Sequence, residues 1–203
     1  MSAERVFLHV GCGPSRKPHT TTAFAGPDWR ELRLDIDPKV APDIVGSMTD
    51  MGEVPSQSVD AVFSSHNIEH LYAHEVPLAV GEFIRVLRPD GFLVITCPDL
   101  QSIAALVAQD RLTEPACISP IGPIAPIDML YGHRPQIAQG NLFMAHRCGF
   151  TRRVLDHTLR AAGFTSIASV TRPAPFFDIW AVALKRTSTE AELRALAEGH
   201  FPQ

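Results

Sequence analysis

The chain has 203 residues, 45% hydrophobic and 20% charged, the proportions of an ordinary folded protein and a length that fits one domain. Its net charge of -4 and pI near 6.1 give no general affinity for nucleic acid phosphates, and no run of about 18 apolar residues exists to span a membrane. The N-terminus, MSAERVFLHVGCG, reaches an apolar strand within five residues and leaves no room for a signal peptide, so a cytoplasmic protein without nucleic acid or membrane partners is expected.

Val6 to Val10 reads as a short buried strand ending at a glycine turn. A second strand, Glu31 to Ile36, ends in acidic residues and Pro38, and a weak extended piece covers Asp43 to Val45. Asp60 to Ser64 is strand-like. Ala73 to Leu87 carries Val76, Val80, Phe83, Ile84 and Leu87 at helical spacing. Pro89, Asp90 and Gly91 predict a turn before the strand Phe92 to Thr96. A further helix is expected from an N-cap at Thr151 to Gly163, followed by strands at Thr165 to Thr171 and Asp178 to Lys185. Alternating strands and helices imply βαβ units and a mainly parallel sheet. The last two strands lack an intervening helix and should lie antiparallel.

Two segments break the alternation. Residues 14–29 hold three prolines and no sustained helical stripe, although a helix would normally follow the first strand. Residues 111–147 carry five prolines and then several polar residues, too long for an ordinary connection and of a kind that often serves as a lid. Residues 1–187 therefore read as a single domain with an inserted lid-like segment at about 111–147, and 188–203 as a C-terminal helical tail. The four cysteines, Cys12, Cys97, Cys117 and Cys148, have no CxxC spacing and are expected to be reduced thiols with packing roles.

The first strand runs into Gly11-Cys12-Gly13, a turn that lets backbone amides approach a ligand closely. Twenty-two residues later the second strand ends at Asp35, where a carboxylate can accept hydrogen bonds from both hydroxyls of a ribose. The pair points to an adenosine-containing ligand. A dinucleotide fingerprint needs a third glycine, but Pro14, Ser15 and Arg16 follow here, and Pro14 removes an amide donor. S-adenosylmethionine, which has no phosphate to cradle, suits this turn better than a dinucleotide.

The segments LHVGCG (8–13), RLDIDP (33–38), DIVGSMTDMGEVPSQSVDAVFSSHNIEHL (43–71), RVLRPDGFLVITCPDL (85–100) and HRCGFTRRVLDHTLRAAGF (146–164) resemble, in order, the class I S-adenosylmethionine-dependent methyltransferases, in particular small bacterial type 11-like members beginning LNLGCG. The resemblance implies a Rossmann-like three-layer αβα sandwich with a mostly parallel seven-stranded sheet whose last strand is antiparallel. It implies S-adenosylmethionine as cofactor and S-adenosylhomocysteine as product. By the same resemblance Gly11, Cys12 and Gly13 lie along the methionine portion, Asp35 binds the ribose, and Ile36 lies against the adenine. Ser47 and Met48 edge the adenine ring, and Ser64 and Ser65 border the methionine end. The chain departs from the family where His9 replaces an acidic residue, where Ser47 replaces an Asp, and where the helix after the glycine turn is lost.

His66-Asn67-Ile68-Glu69-His70 fits the H-x-x-E-H pattern of inverted zinc peptidases, which requires the pattern inside a helix and a third ligand. Its position just beyond a buried strand, in a methyltransferase-like stretch, argues against that, and no metal is expected. Glu69 is expected to cap or pair near a helix start. His66 and His70 follow the carboxyl end of the fourth strand and are the candidate bases, or orienters, for an acceptor that must lose a proton. Tyr131, His133, His146 and Arg147, in or beside the long segment, are the candidate acceptor contacts and suit a small polar acceptor such as a saccharide or hydroxylated metabolite. The protein is expected to be a monomer or homodimer. Two alternatives stay open: an inactive protein that binds S-adenosylmethionine or S-adenosylhomocysteine, and an NAD-dependent oxidoreductase.

Overall fold

The computed structural model describes residues 4–119 and 121–202. In chain order the elements are β1 (Arg5–Val10), α1 (Thr22–Ala25), β2 (Trp29–Asp35), β3 (Ile44–Val45), β4 (Val59–Ser65), α2 (Val76–Val86), β5 (Leu87–Pro98) and α3 (Leu100–Val107). They continue with β6 (Cys117–Ser119), β7 (Gly122–Ile124), α4 (Pro126–Tyr131), α5 (Arg134–Ala138), α6 (Arg152–Ala162), β8 (Ser166–Arg172), β9 (Asp178–Leu184) and α7 (Glu190–His200).

The main sheet has seven strands in the order β3-β2-β1-β4-β5-β9-β8. Neighbouring strands are parallel except that β9 runs antiparallel to both β5 and β8. This is the expected α/β, Rossmann-like arrangement with its last strand reversed. The chain builds outward from β1 to the β3 edge and returns to β4 on the other side of β1. The order therefore reverses between β1 and β4, and a crevice opens outside their carboxyl ends, where ligands of such sheets bind.

Strand alternation divides the core into two faces. Leu8, Val10, Val62, Leu93 and Ile95 meet Val80 and Phe83 of α2 and Leu155 and Leu159 of α6 on one face. Phe7, Phe63, Phe92 and Val94 meet Phe24, Trp29 and Ala197 on the other. The segment that should have supplied a helix after β1 forms only a 3-10 turn at Lys17–His19 and the four-residue α1. The C-terminal α7 fills the gap: Leu193, Leu196 and Ala197 pack on the aromatic cluster, and His200 Nδ1 lies 2.8 Å from Thr21 Oγ1 beside α1. The tail is thus part of this face of the core.

Several boundaries shift for local reasons. α2 starts at Val76 because Pro77 is accommodated in the first turn. The expected Pro-Asp-Gly turn is a bulge within β5: Val59 pairs with Leu87 and Ala61 already with Phe92, so the strand begins before the turn. Thr151 caps α6 by accepting from Val154 N, and Gly163, at φ 113°, ends it in the left-handed conformation. α3 was not expected from the sequence; Asp99 caps it, accepting from Gln101 N and Ser102 N. The described residues of 111–147 form the paired strands β6 and β7, α4, α5 and a 3-10 turn at Leu142–Met144, tied to the body through Met129 and Leu130 against Ile103, Leu106 and Phe177. Among the described residues no helix is long and apolar enough to cross a membrane, and all four cysteines are free thiols.

Candidate functional site

The crevice holds a cavity of about 500 Å³, within the range of small-molecule sites. One wall is the glycine turn. Gly11 N and Cys12 N both donate to Leu34 O, at 2.8 and 3.2 Å, which folds the end of β1 over β2. Gly11 adopts φ 62°, and a Cβ there would lie 2.1 Å from Asn67 Oδ1. Asn67 is locked in turn, its Nδ2 donating to Val10 O and Ser65 O, each at 2.9 Å. The side chain of Asn67 therefore stitches together the carboxyl ends of β1 and β4, the two strands of the switch point, and only glycine leaves room for it.

The Asp35 carboxylate forms the next part of the wall. Oδ2 accepts from Gly13 N at 2.7 Å and Oδ1 from Asp37 N at 2.9 Å. A carboxylate has about four acceptor sites, so two backbone amides fix its orientation and leave capacity for ribose hydroxyls. Beneath it, Arg33 is 2% exposed. Its guanidinium donates to Gly13 O at 2.5 Å, Ala41 O at 2.7 Å and Ser15 O at 3.3 Å. One buried side chain thus holds the glycine loop to the loop after β2.

The cofactor contacts expected from the sequence meet on this cavity. Gly11, Cys12, Gly13, Asp35, Ile36, Ser47, Met48 and Ser65 all line it. Ser64 does not: it points into the core with no exposure, and its Oγ has no hydrogen-bond partner, because side chains alternate along β4 and Ser65 takes the cavity side. Ser47 Oγ lies 2.7 Å from Thr49 Oγ1, a local pairing that leaves it a neutral edge to the site. His9, where the family carries an acid, is buried with Nδ1 2.7 Å from Glu31 Oε1. Burial lowers its pKa, against the pull of Glu31, a carboxylate on the neighbouring strand whose Oε2 also accepts from Lys17 N at 2.9 Å. An open backbone turn, a fixed carboxylate and the apolar faces of Ile36 and Met48 fit S-adenosylmethionine.

His66, His70 and Arg147 line the same cavity. His66 sits at φ 53° just after β4, and Ile68–His70 is a 3-10 turn, so the H-x-x-E-H residues are not on an α-helix as the peptidase pattern requires. The half-exposed ring of His66 places Nδ1 3.5 Å from Glu69 Oε1 and Nε2 3.9 Å from Asp178 Oδ2. Protein atoms packed round the ring oppose its protonation, but Glu69 and then Asp178 outweigh them and raise its pKa. Glu69 does not cap a helix. It is 1% exposed, and neither carboxylate oxygen has a hydrogen-bond partner; burial favours its neutral form, but His66, His70 and His146 together hold its pKa below the ordinary value.

The expected acceptor residues separate. Arg147 lies on the cavity wall, its guanidinium stacked 4.7 Å from the centre of the Tyr72 ring. Tyr131, at the end of α4, is 64% exposed and does not line the cavity. His133 stands at the N-cap position of α5 without a side-chain capping bond, and the ring of His146 lies 4.9 Å from that of His70; neither lines the cavity. The long segment instead contributes Ile121, Gln136, Asn141, Phe143 and Met144. These were missed because an irregular segment carries no periodicity from which to read an inward face. Asn67 and Arg33 were missed because their roles depend on partners far along the chain.

Residues 8–95 match the model of a family described as a methyltransferase domain. None of the curated proteins matches the chain significantly. Among solved structures, the chain is similar to an S-adenosylmethionine-dependent methyltransferase from Archaeoglobus fulgidus, with a TM-score of 0.58, 13% identity, and coverage of 88% of this chain and 85% of the other. It is also similar to one from Thermotoga maritima, with a TM-score of 0.57, 14% identity, and 89% and 82% coverage. A third is the 1,6-didemethyltoxoflavin-N1-methyltransferase of Burkholderia thailandensis, solved with 1,6-didemethyltoxoflavin and S-adenosylhomocysteine bound; its TM-score is 0.56, its identity 16%, and the coverage 88% and 69%.

Proposed function

We propose that this chain, whose residues 8–95 match a methyltransferase domain, is a class I S-adenosylmethionine-dependent enzyme that methylates a small polar acceptor, such as a hydroxyl of a saccharide or hydroxylated metabolite. The observation that carries this reading is one cavity whose lining joins the glycine turn and the fixed Asp35 carboxylate with His66, His70, Arg147 and the polar residues Gln136 and Asn141.

When bound, S-adenosylmethionine supplies an electrophilic methyl group whose in-line displacement leaves S-adenosylhomocysteine. Gly11 and Gly13 keep the wall open, Asp35 orients the ribose, and Ile36 and Met48 cover the adenine. The acceptor lies between His66 and the segment 111–147, which acts as a lid whose Phe143 and Met144 exclude water. His66 takes the acceptor's proton at Nε2 while Nδ1 faces Glu69, whose carboxylate raises the basicity of the ring and so its strength as a general base. Positioning supplies the larger share, up to about 7–11 kcal/mol in favourable systems. The similar Burkholderia enzyme acts on a small heterocycle, which supports a small-molecule acceptor. We place the enzyme in the cytoplasm, a setting that keeps its four free cysteines reduced.

The test is transfer of labelled methyl from S-adenosylmethionine to a panel of saccharides and hydroxylated metabolites. His66→Ala should lower kcat about 10²–10⁴-fold at pH 7 with S-adenosylhomocysteine affinity retained. Full turnover by that variant removes His66 from the mechanism, and acceptance only of nucleic acid or protein refutes the acceptor class.

A further inference from the structure

Glu69, His70 and His146 form a cluster that the methyl-transfer reading does not use. Their ligand-capable atoms lie within 4.8 Å of one another, although His146 is 76 residues further along the chain than His70. Two features point to a ligand. The Glu69 carboxylate is 1% exposed and both oxygens lack a hydrogen-bond partner; His66 Nδ1 approaches Oε1 only to 3.5 Å, which leaves a buried charge with acceptor capacity for a ligand. Each histidine is also committed through Nδ1 to a backbone carbonyl, His70 to Ala145 O at 3.1 Å and His146 to Met129 O at 2.8 Å. A carbonyl can only accept, so Nδ1 carries the proton in both rings, and Nε2 is left with a lone pair. This is the outer-shell pattern that sets the tautomer of metal-bound histidines.

We infer that Glu69, His70 and His146 bind a divalent transition-metal ion, in a two-histidine, one-carboxylate site at the acceptor side of the cavity. Two imidazoles and one carboxylate suit Zn²⁺ or a neighbouring first-row ion, and not Mg²⁺ or Ca²⁺, which prefer oxygen donors. The ligand atoms lie within 4.8 Å of one another, whereas tetrahedral ligands at bonds of about 2.0–2.2 Å stand roughly 3.3–3.6 Å apart, so side-chain movements of about 1 Å close the site. His66 Nδ1, 3.5 Å from Glu69 Oε1, then supports the carboxylate from outside. The ion also joins the turn after β4 to the end of segment 111–147. It departs from the sequence expectation that no metal is held. In the reaction proposed above, on which only this clause rests, the ion would hold and acidify the acceptor group; three protein ligands leave a position open for it.

The purified full-length chain, stripped with a chelator and dialysed, is titrated with Zn²⁺ by calorimetry, with S-adenosylhomocysteine titrated separately. One ion per chain should bind, and the melting temperature should rise with Zn²⁺. Glu69→Gln and His146→Ala should each weaken Zn²⁺ binding at least tenfold, whereas His157→Ala, at an exposed position, should not. His146 does not line the cavity, so S-adenosylhomocysteine affinity should stay within twofold in His146→Ala. If Glu69→Gln fails to fold, His146→Gln at its half-buried position carries the comparison. No stoichiometric ion in the wild type, or equal affinity in the cluster variants, overturns the site. Failure to bind S-adenosylhomocysteine would strike the methyltransferase reading alone.

Discussion

Gly11→Ala tests how the glycine turn and Asn67 build the cofactor wall. Two separable penalties apply. An alanine at φ 62° adopts the left-handed conformation, at roughly 1–2 kcal/mol. Its Cβ would also stand 2.1 Å from Asn67 Oδ1, so Asn67 must leave and forfeit its hydrogen bonds to Val10 O and Ser65 O, about 0.5–1.5 kcal/mol each. The expected loss is about 2–5 kcal/mol, and at roughly 2–4 °C per kcal/mol for a chain of this size the melting temperature should fall by about 4–20 °C. A double-mutant cycle isolates the steric share. In an Asn67→Ala background the clash is gone, and Gly11→Ala should cost only the backbone term of about 1–2 kcal/mol. Urea unfolding of the four proteins gives the coupling, expected at about 1–3 kcal/mol. Equal costs of Gly11→Ala in both backgrounds would refute the argument that Asn67 is what demands glycine.

Further predictions concern the same wall and the opposite face. Asp35→Asn removes the charge that holds Gly13 N and Asp37 N and should weaken S-adenosylhomocysteine binding at least tenfold by calorimetry, with about 1–2 kcal/mol of stability lost. Arg33→Met leaves the carbonyls of Gly13, Ser15 and Ala41 without their shared donor. It should lower urea stability by roughly 2–4 kcal/mol and cofactor affinity with it, although Arg33 touches no ligand. His200 is buried and its pKa falls to about 4 from 6.5, through burial and then Arg5. The unfolded chain therefore binds this proton first as pH drops, so the contribution is fully present above 6.5 and is lost between 6.5 and 4, about 3 kcal/mol in all. His200→Gln should flatten the pH dependence of urea stability in that window; an unchanged slope would refute the assignment.

Local patterns in the sequence carried the sheet and the β1–β2 half of the site. β1, β4 and the strand core of β5 are short apolar runs bounded by turn residues, and the caps Thr151 and Gly163 mark α6 at both ends. Gly11, Gly13 and Asp35 were legible because strand ends and glycine turns are encoded within a few residues. The rest depends on distant partners. Nothing near residues 14–29 indicates that α7, more than 160 residues away, covers the face left bare there. Nothing near Arg33 indicates a buried guanidinium bonded to two loops. The pattern at 66–70 is visible in the sequence, but the approach of His146 to Glu69 and His70 is set by the fold of segment 111–147. The inward-facing residues of that segment follow from tertiary packing and not from any sequence period.

The most direct test of the central claim is a calorimetric titration of the wild-type chain with S-adenosylmethionine and S-adenosylhomocysteine, with NAD as control. The account predicts one site per chain with micromolar affinity for the adenosyl ligands and no heat with NAD. Silence with both adenosyl ligands, or preference for NAD, would contradict it.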